Sequence, residues 1–409
     1  MAFEIVEAGP DDYPSVTEPV LAAFGASRAT DEETEDGRLP HAARHNLAVR
    51  EDGRWVAMTA AFALELTVPG GATIATSGVT MVGVQPTHRR RGIASALMAR
   101  ILDHAEAEGR PVAILLAMES GIYGRFGYGV ASRYVSVEID VHRLAFDVPL
   151  DDPGTLTLHD AVEGSRLAAE VWDRYRVGRP GAVGRMDWMW EYHRRDRESQ
   201  RHGASARFWV VHTDAEGTPD GFVSYRIKEA DERGLPRYRA IAEDLVGTTI
   251  DVEAILLRYL AELDLVTTVE VPLRPVDDPL WWRLADPRQL QVTALSDFLW
   301  ARVLDVPAAF SARTYGSADE LVLEVDDRFR PASGGRFLVA GDRTSGRCER
   351  TDQAPDLTLS AQALGSLLLG TVPTSVLVAA GRVQGSAEAV ARADAFFASN
   401  PAPFACTEF

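Results

Sequence analysis

The densest chemistry in the chain lies between Val79 and Met98, in the run VTMVGVQPTHRRRGIASALM. A β-branched apolar stretch ends, three arginines and a glycine follow, and a helical pattern begins. Exposed backbone N–H groups, the positive end of a helix dipole and guanidinium charge therefore converge on one place. That place suits a pyrophosphate. Gly92 lets the backbone approach a ligand closely, Ala94 is small enough not to block it, and Arg89, Arg90 and Arg91 supply charge. The loop has neither the lysine and hydroxyl pair of a Walker loop nor the three glycines of a dinucleotide fingerprint. A solvated helix start is the plainer account of an arginine run, but cations crowding the positive end of a helix are unfavourable unless an anion is present.

A second candidate is the end of the chain, PFACTEF, closing on Phe409. Termini usually fray, and an aromatic last residue is atypical of a solvated tail, so burial is expected to tie it down. An anchored tail delivers an α-carboxylate, which is ionised at pH 7 and able to accept a proton. A purely structural Phe fits the residues equally well. Glu408 and the acidic stretch Asp31–Asp36 are candidate contacts for the ammonium groups of a polyamine or aminoglycoside, although such clusters are commonly solvated helix starts. His41 and His45 stand four apart, but no glutamate follows the first and no third ligand is marked, so no metal site is assigned.

The composition narrows the partners. The formal charge of −18 repels phosphate backbones and attracts cations, which argues against nucleic acid and for a cationic substrate. Lys228 is the single lysine, leaving little scope for Schiff-base chemistry. Two cysteines, Cys348 and Cys406, are too few for a disulfide framework and are read as reduced thiols. No apolar run is long enough to span a membrane, and the opening MAFEIVEAGPDD turns acidic too early for a signal peptide, so a cytoplasmic protein is expected.

The 409 residues call for two or three domains. Strand signals at Phe3–Ala8, Asn46–Arg50, Trp55–Leu66 and Ala72–Val84 precede a helix over about Arg91–Gly109 and a short strand at Val112–Met118, which implies a crossover unit in a mixed sheet. The charged, proline-containing stretch Phe146–Gly154 marks a boundary, giving a first domain over 1–148. A second, over 149–292, repeats the strand and helix order and reads as a degenerate copy without the arginine loop. Residues 293–409 change to short strands followed by helices at Ala361–Leu369 and Ala387–Phe397, an α+β domain.

Arg89 to Ala94 matches the Arg/Gln-x-x-Gly-x-Gly/Ala motif of the GNAT acetyltransferases, after a strand and at a helix start as that motif requires. Together, PTHRRRG, the later IYGRFGYG, the three-part length and the aromatic terminus resemble the Eis (enhanced intracellular survival) family of multi-acetylating N-acetyltransferases. The resemblance implies two GNAT-like mixed-sheet domains, the second degenerate, and a sterol-carrier-protein-like α+β domain. It implies acetyl-CoA as co-substrate, with Val82, Gly83 and Val84 on the pantetheine side, Arg90, Arg91, Gly92, Ile93, Ala94 and Ser95 at the phosphates, and Met118 and Glu119 completing the site. An amide near Val82 would polarise the thioester if the strand is splayed or bulged there. The GNAT pattern places a tyrosine four residues before a Gly-aromatic pair, which makes Tyr123 the general acid and leaves Tyr128 a core aromatic. In Eis proteins the C-terminal carboxylate is the proton acceptor, a role the resemblance carries to Phe409. It also implies a homohexamer. The acceptor is expected to be a primary amine of an aminoglycoside, a polyamine or a lysine side chain. The competing expectation is a lipid or sterol carrier with a vestigial acetyltransferase domain.

Overall fold

A computed structural model describes residues 3–409. In chain order, strand β1 (Glu4–Glu7) and helices α1 (Glu18–Phe24) and α2 (Asp31–Ala42) lead into the long meander β2 (Arg44–Glu51), β3 (Arg54–Thr67) and β4 (Thr73–Val84). Helix α3 (Ile93–Ala107), β5 (Val112–Leu116), the single turn α4 (Ser120–Tyr123) and β6 (Gly129–Val130) follow. The middle of the chain forms β7 (Arg133–Asp140), β8 (Thr155–His159), α5 (Ala161–Arg176), α6 (Asp187–Arg195), β9 (Phe208–Thr213) and β10 (Pro219–Lys228). After a two-stranded hairpin, β11 (Asp231–Glu232) and β12 (Leu235–Pro236), come β13 (Tyr238–Gly247), α7 (Ile250–Ala261), β14 (Val266–Pro275) and β15 (Leu290–Asp297). The last third holds β16 (Leu299–Val303), α8 (Val306–Ser311), β17 (Asp319–Asp326), β18 (Gly335–Gly341), β19 (Gly346–Arg350), β20 (Leu357–Ser360), α9 (Ala361–Leu367), α10 (Thr374–Ala379), β21 (Val383–Gly385) and α11 (Ala387–Phe397).

These strands build two seven-stranded sheets, ordered β1-β2-β3-β4-β5-β16-β6 and β15-β7-β14-β13-β10-β9-β8, and a five-stranded sheet ordered β19-β18-β17-β20-β21. The chain divides into two compact units. One holds the residues through Ser132, Pro180–Gly184 and Phe298–Phe409; the other holds Arg133–Arg179 and Arg185–Asp297. The boundaries expected at 148 and 292 therefore do not coincide with sheet membership. β7 precedes the expected first boundary yet lies in the second sheet, and β16 follows the expected second boundary yet inserts between β5 and β6 of the first. β16 is buried along its whole length and so carries the same apolar pattern in either sheet, while the half-buried β7 alternates as it would in either, so periodicity assigns neither.

In the first unit α3 lays Leu97, Met98, Ile101, Leu102 and Ala105 on the sheet, the one-face spacing of a helix, and all five are buried with Val79, Ala113 and Leu115 beneath them. That packing fixes where the start of α3 lies relative to the ends of β4 and β5. The acidic stretch 31–36 opens α2, where Thr30 and Glu33 form a capping box and the carboxylates complement the helix dipole.

Candidate active site

The site begins as a parting of two strands. β4 and β5 pair in parallel only through Thr76–Gly78 and Val112–Ile114, yet β4 runs on to Val84 and β5 to Leu116. Beyond Gly78 the β5-facing side of β4 is left without a ladder partner, a concave opening lined by backbone donors and acceptors. On its other side β4 bulges. Met58 pairs with Gly83 and Ala60 with Thr80, so Met81 and Val82 together face Thr59, and Met81 takes φ +55°. A bulge bends its strand and re-aims the groups that follow, here Val82, Gly83 and Val84. Gly83 has a second duty: a Cβ there would sit 2.7 Å from the Cα of Val20, so glycine lets α1 close over the strand.

The loop after β4 delivers the second set of groups. Gly92, at φ +82°, precedes α3 without a side-chain cap, and the first helical bond runs from Ala96 N–H to Gly92 carbonyl at 3.0 Å. The amides of Ile93, Ala94 and Ser95 thus have no intrahelical acceptor, which is the anion-binding end of a helix. The three arginines do not act alike. Arg91 is held by Glu51, with bonds of 2.7 and 2.9 Å, and His88 joins the same carboxylate at 2.9 Å; the Arg91 bonds keep the Glu51 carboxyl below its usual range. Arg89 donates to the Ala23 carbonyl at 3.1 Å. Arg90 has no partner among the described residues and holds φ +62°, a strained setting for a residue with a side chain.

Strand parting and helix start together bound a cleft of about 500 Å³. Val82, Gly83, Val84, Arg89, Arg90, Gly92, Ile93, Ala94, Ser95, Met118 and Glu119 line it, with Tyr123. Arg91 does not, because Glu51 claims its guanidinium. The lining also includes Ala23, Phe24, His88, Ile122, Arg125 and Phe126, which the sequence reading did not single out. Phe24 and Ile122 carry the apolar signature of helical faces, so nothing local marked them as lining.

Tyr123 closes α4 and is 8% exposed. Its ring meets Tyr128 edge-on at 6.1 Å, and its hydroxyl has no hydrogen-bond partner among the described residues. Burial, and then the nearby Glu119 carboxylate, push its pKa up, so the hydroxyl keeps its proton at neutral pH. Tyr128 is fully buried, and its hydroxyl points at Met98 Sδ, 3.8 Å away.

The tail of the chain also reaches β4, at Thr80. Residues 180–184 form a strap bonded to the end of β3, through Gly181 N–H to Thr67 carbonyl at 2.8 Å, Thr67 N–H to Ala182 carbonyl at 2.9 Å and Gly184 N–H to Glu65 carbonyl at 3.0 Å. The tail lies on that strap. Phe404 N–H donates to Pro180 carbonyl at 2.8 Å and Thr407 Oγ1 to Val183 carbonyl at 3.2 Å. The Phe409 ring then covers Gly78, where a Cβ would be 3.1 Å from it, and Thr80 Oγ1 donates to a terminal oxygen of Phe409 at 3.3 Å. Thr80 and Val82 are two residues apart, roughly 7 Å along a strand. Glu408 is exposed. The acidic stretch 31–36 does not line the cleft; Asp36 within it is buried. His41 bonds the Gly9 carbonyl at 3.1 Å, while His45 stacks on His104 with ring centres 3.7 Å apart.

Comparisons with known proteins identify the domains that carry this cleft. Residues 4–131 and 181–303 each match an acetyltransferase (GNAT) domain model, and residues 306–405 match a sterol carrier protein domain model. An uncharacterized N-acetyltransferase of Streptomyces coelicolor is 38% identical over 94% of each chain. N-acetyltransferase Eis of Mycobacterium tuberculosis is 34% identical over 82% of this chain and 81% of its own. Among solved structures, Eis1 from Mycobacterium abscessus superposes with a TM-score of 0.87 at 31% identity, covering 100% of both chains.

Proposed function

The chain belongs to the Eis-like N-acetyltransferases of the GNAT superfamily, and we propose that it moves acetyl from acetyl-CoA to primary amines of a cationic acceptor, an aminoglycoside, a polyamine or a lysine side chain. Tyr123 is the general acid and the Phe409 carboxylate the base. The GNAT fold implies acetyl-CoA, and the residues present fit it: the open amides of Ile93, Ala94 and Ser95 with the unpaired Arg90 suit its pyrophosphate, and the parted edge of β4 suits an extended pantetheine arm. Bound there, acetyl-CoA supplies an activated acyl group. The Val82 amide, re-aimed by the bulge, faces the developing charge on the acyl oxygen. Tyr123, protonated at neutral pH, gives its proton to the departing sulfur. The Phe409 carboxylate takes a proton from the acceptor amine, directly or through one water.

The observation that carries this reading is the tail bound to β4 at Thr80, the residue just before the Met81–Val82 bulge, whose Val82 lines the cleft. A charge of −18 favours a cationic acceptor, and the exposed Glu408 beside the terminal carboxylate is the nearest ammonium partner in sequence. We further expect a cytoplasmic homo-oligomer, a hexamer by likeness to the family, acting on neither nucleic acid nor membrane; among the described residues no helix is long and apolar enough to cross a bilayer. A lipid-carrier role gains no support from the C-terminal domain. Its interior holds the fully buried Arg313, which donates to the carbonyls of Leu367, Leu368 and Phe397 and lies over the rings of Tyr315 and Phe397. A guanidinium there is poor company for an acyl chain.

Thiol release from acetyl-CoA with kanamycin, spermidine and a lysine peptide as acceptors tests the assignment. Tyr123→Phe and deletion of Phe409 should each lower kcat by about 100-fold or more while calorimetric affinity for acetyl-CoA stays within about threefold. Unchanged turnover in both would remove the mechanism.

A further inference from the structure

Three glycines follow Tyr123, and each is a point where its turn rests on the last third of the chain. A Cβ on Gly124 would lie 2.8 Å from Gln362 Nε2, and one on Gly129 would lie 2.0 Å from the Gln362 carbonyl. A Cβ on Gly127 would lie 1.6 Å from Arg302 Nη1 and 3.1 Å from Ala361. Gly127 also takes φ +85°. The turn is therefore seated on α9 and on a guanidinium, with no side-chain thickness between.

That guanidinium is unusual. Arg302, on β16, is 0% exposed; its Nη2 pairs with Asp327 Oδ2 at 2.5 Å, and its Nε and Nη1 have no hydrogen-bond partner among the described residues. Buried arginine nitrogens are costly to leave unpaired, so a hydrocarbon side chain would serve stability better unless the planar head has a mechanical use. Asp327 transmits its position outward. Its other oxygen accepts from Phe329 N–H at 3.1 Å and Arg330 N–H at 2.9 Å. The Phe329 ring meets Phe126 of the tyrosine turn edge-on at 5.0 Å, and Arg330 reaches back to Asp103 and Glu106 of α3 at 2.7 and 2.5 Å. One rigid knot thus touches both the turn that carries Tyr123 and the helix whose first turn faces the cleft.

We infer that the Arg302–Asp327 pair is the positioning device for Tyr123: the guanidinium plate sets the height of the Gly124–Gly127 turn and so the reach of the phenol hydroxyl toward the coenzyme sulfur. This rests on the assignment of Tyr123 as the acid. It gives the sterol-carrier-like part of the chain a part in acetyl transfer that requires no lipid.

A double-mutant cycle on the full-length protein tests it. Arg302→Lys keeps a cation for Asp327 but removes the plate. It should lower kcat about tenfold, consistent with the sensitivity of reactions to displacements near 1 Å, with KM for acetyl-CoA within about twofold. In a Tyr123→Phe background the same change should cost less than about twofold, because the group it positions is gone. Phe329→Leu, a milder change at the rim of the knot, should lower kcat about threefold and likewise lose its effect in that background, and it serves if Arg302→Lys does not fold. Equal losses in both backgrounds, or a loss expressed in KM alone, would overturn the positioning role while leaving Tyr123 as the acid. Wild-type turnover in Tyr123→Phe by itself would instead remove the acid, and the positioning role with it.

Discussion

The two GNAT halves share one topological event and put it to opposite use. In the first, β4 leaves β5 after Gly78; in the second, β13 pairs with β14 only from Tyr238 to Ile241 and then runs unpaired with it to Gly247. The first gap is a cleft. The second is occupied by Arg274, whose Nη1 donates to the Leu245 carbonyl at 3.1 Å on the diverging part of β13. Its Nε bonds Asp278 and its Nη2 bonds Glu253, both at 2.6 Å. Burial opposes the charge, but the two carboxylates outweigh it and push the Arg274 pKa well above its ordinary value. The helix starts differ in the same sense. α3 begins with open amides and no acid, whereas α7 begins with Thr249 bonded to the Val252 amide at 3.3 Å and carries Asp251 and Glu253 in its first turn. A phosphate is drawn to the first and repelled by the second. Parting two strands makes room for a coenzyme; what the neighbouring side chains do with that room decides whether one binds.

The contrast breaks most visibly at the plug. Arg274→Met strands two buried carboxylates and should lower stability by about 3–5 kcal/mol, read as a shifted midpoint in urea unfolding, without creating a second acetyl-CoA site by calorimetry. Next in size is a transplant of the second half's acidity into the first. Ala94→Glu places a carboxylate at the open amides of α3 and should weaken acetyl-CoA binding about 100-fold with unfolding unchanged. A binding constant within threefold of the parent would show that the phosphates lie elsewhere. A smaller effect separates neighbours in the arginine run. Arg90→Gln should raise KM for acetyl-CoA about tenfold and Arg91→Gln no more than about threefold, since Glu51 already holds Arg91. Reversed rankings would mean that the Arg91 pair opens when the coenzyme arrives.

That last pair shows where sequence reading stops. The cradle was legible because its parts are adjacent: strand, glycine and helix start follow one another within Val79–Met98, and helix capping is a local property. The order of strands and helices was legible for the same reason, with α3 found at Ile93–Ala107 inside the expected 91–109. Arg91 read the same as Arg90 because its partner, Glu51, lies 40 residues earlier. Gly83 read as a ligand contact, while its tightest neighbour is Val20. The plug left no sign at all, since Arg274, Glu253 and Leu245 carry no motif and meet only through tertiary packing. Phe409 is the intermediate case. Its aromatic character suggested an anchor, but the strap that receives the tail is five residues from the middle of the chain, and no local pattern assigns Pro180–Gly184 to the first unit.

The second unit's reliance on buried charge also predicts a pH signature, the smallest of these effects because it is one titration. His212 is 3% exposed and sits between Asp220, 2.5 Å from Nδ1, and Asp152, 3.0 Å from Nε2. A Cβ on Gly154 would touch the same imidazole at 2.6 Å, so the segment leading into β8 is closed down on it. Burial opposes protonation, but the two aspartates prevail and raise the His212 pKa above its ordinary value. A histidine whose folded pKa exceeds its unfolded value of about 6.5 contributes stability that is fully present below that value and is lost as pH rises through the folded one. His193 slopes the other way. Burial, with Arg207 and Arg185, pushes it down to about 4, so its contribution grows as pH rises toward 6.5 and is complete by about pH 7.5. The carboxyl of Asp152, lowered by its bonds to His212 and Gly154 against the cost of burial, changes charge only in acid. The melting temperature of the wild type minus that of His212→Gln should therefore be largest well below about pH 6.5 and shrink as pH rises above it, over the interval in which the folded imidazole loses its proton. A difference that is flat across that interval would mean that the imidazole is neutral between its two aspartates.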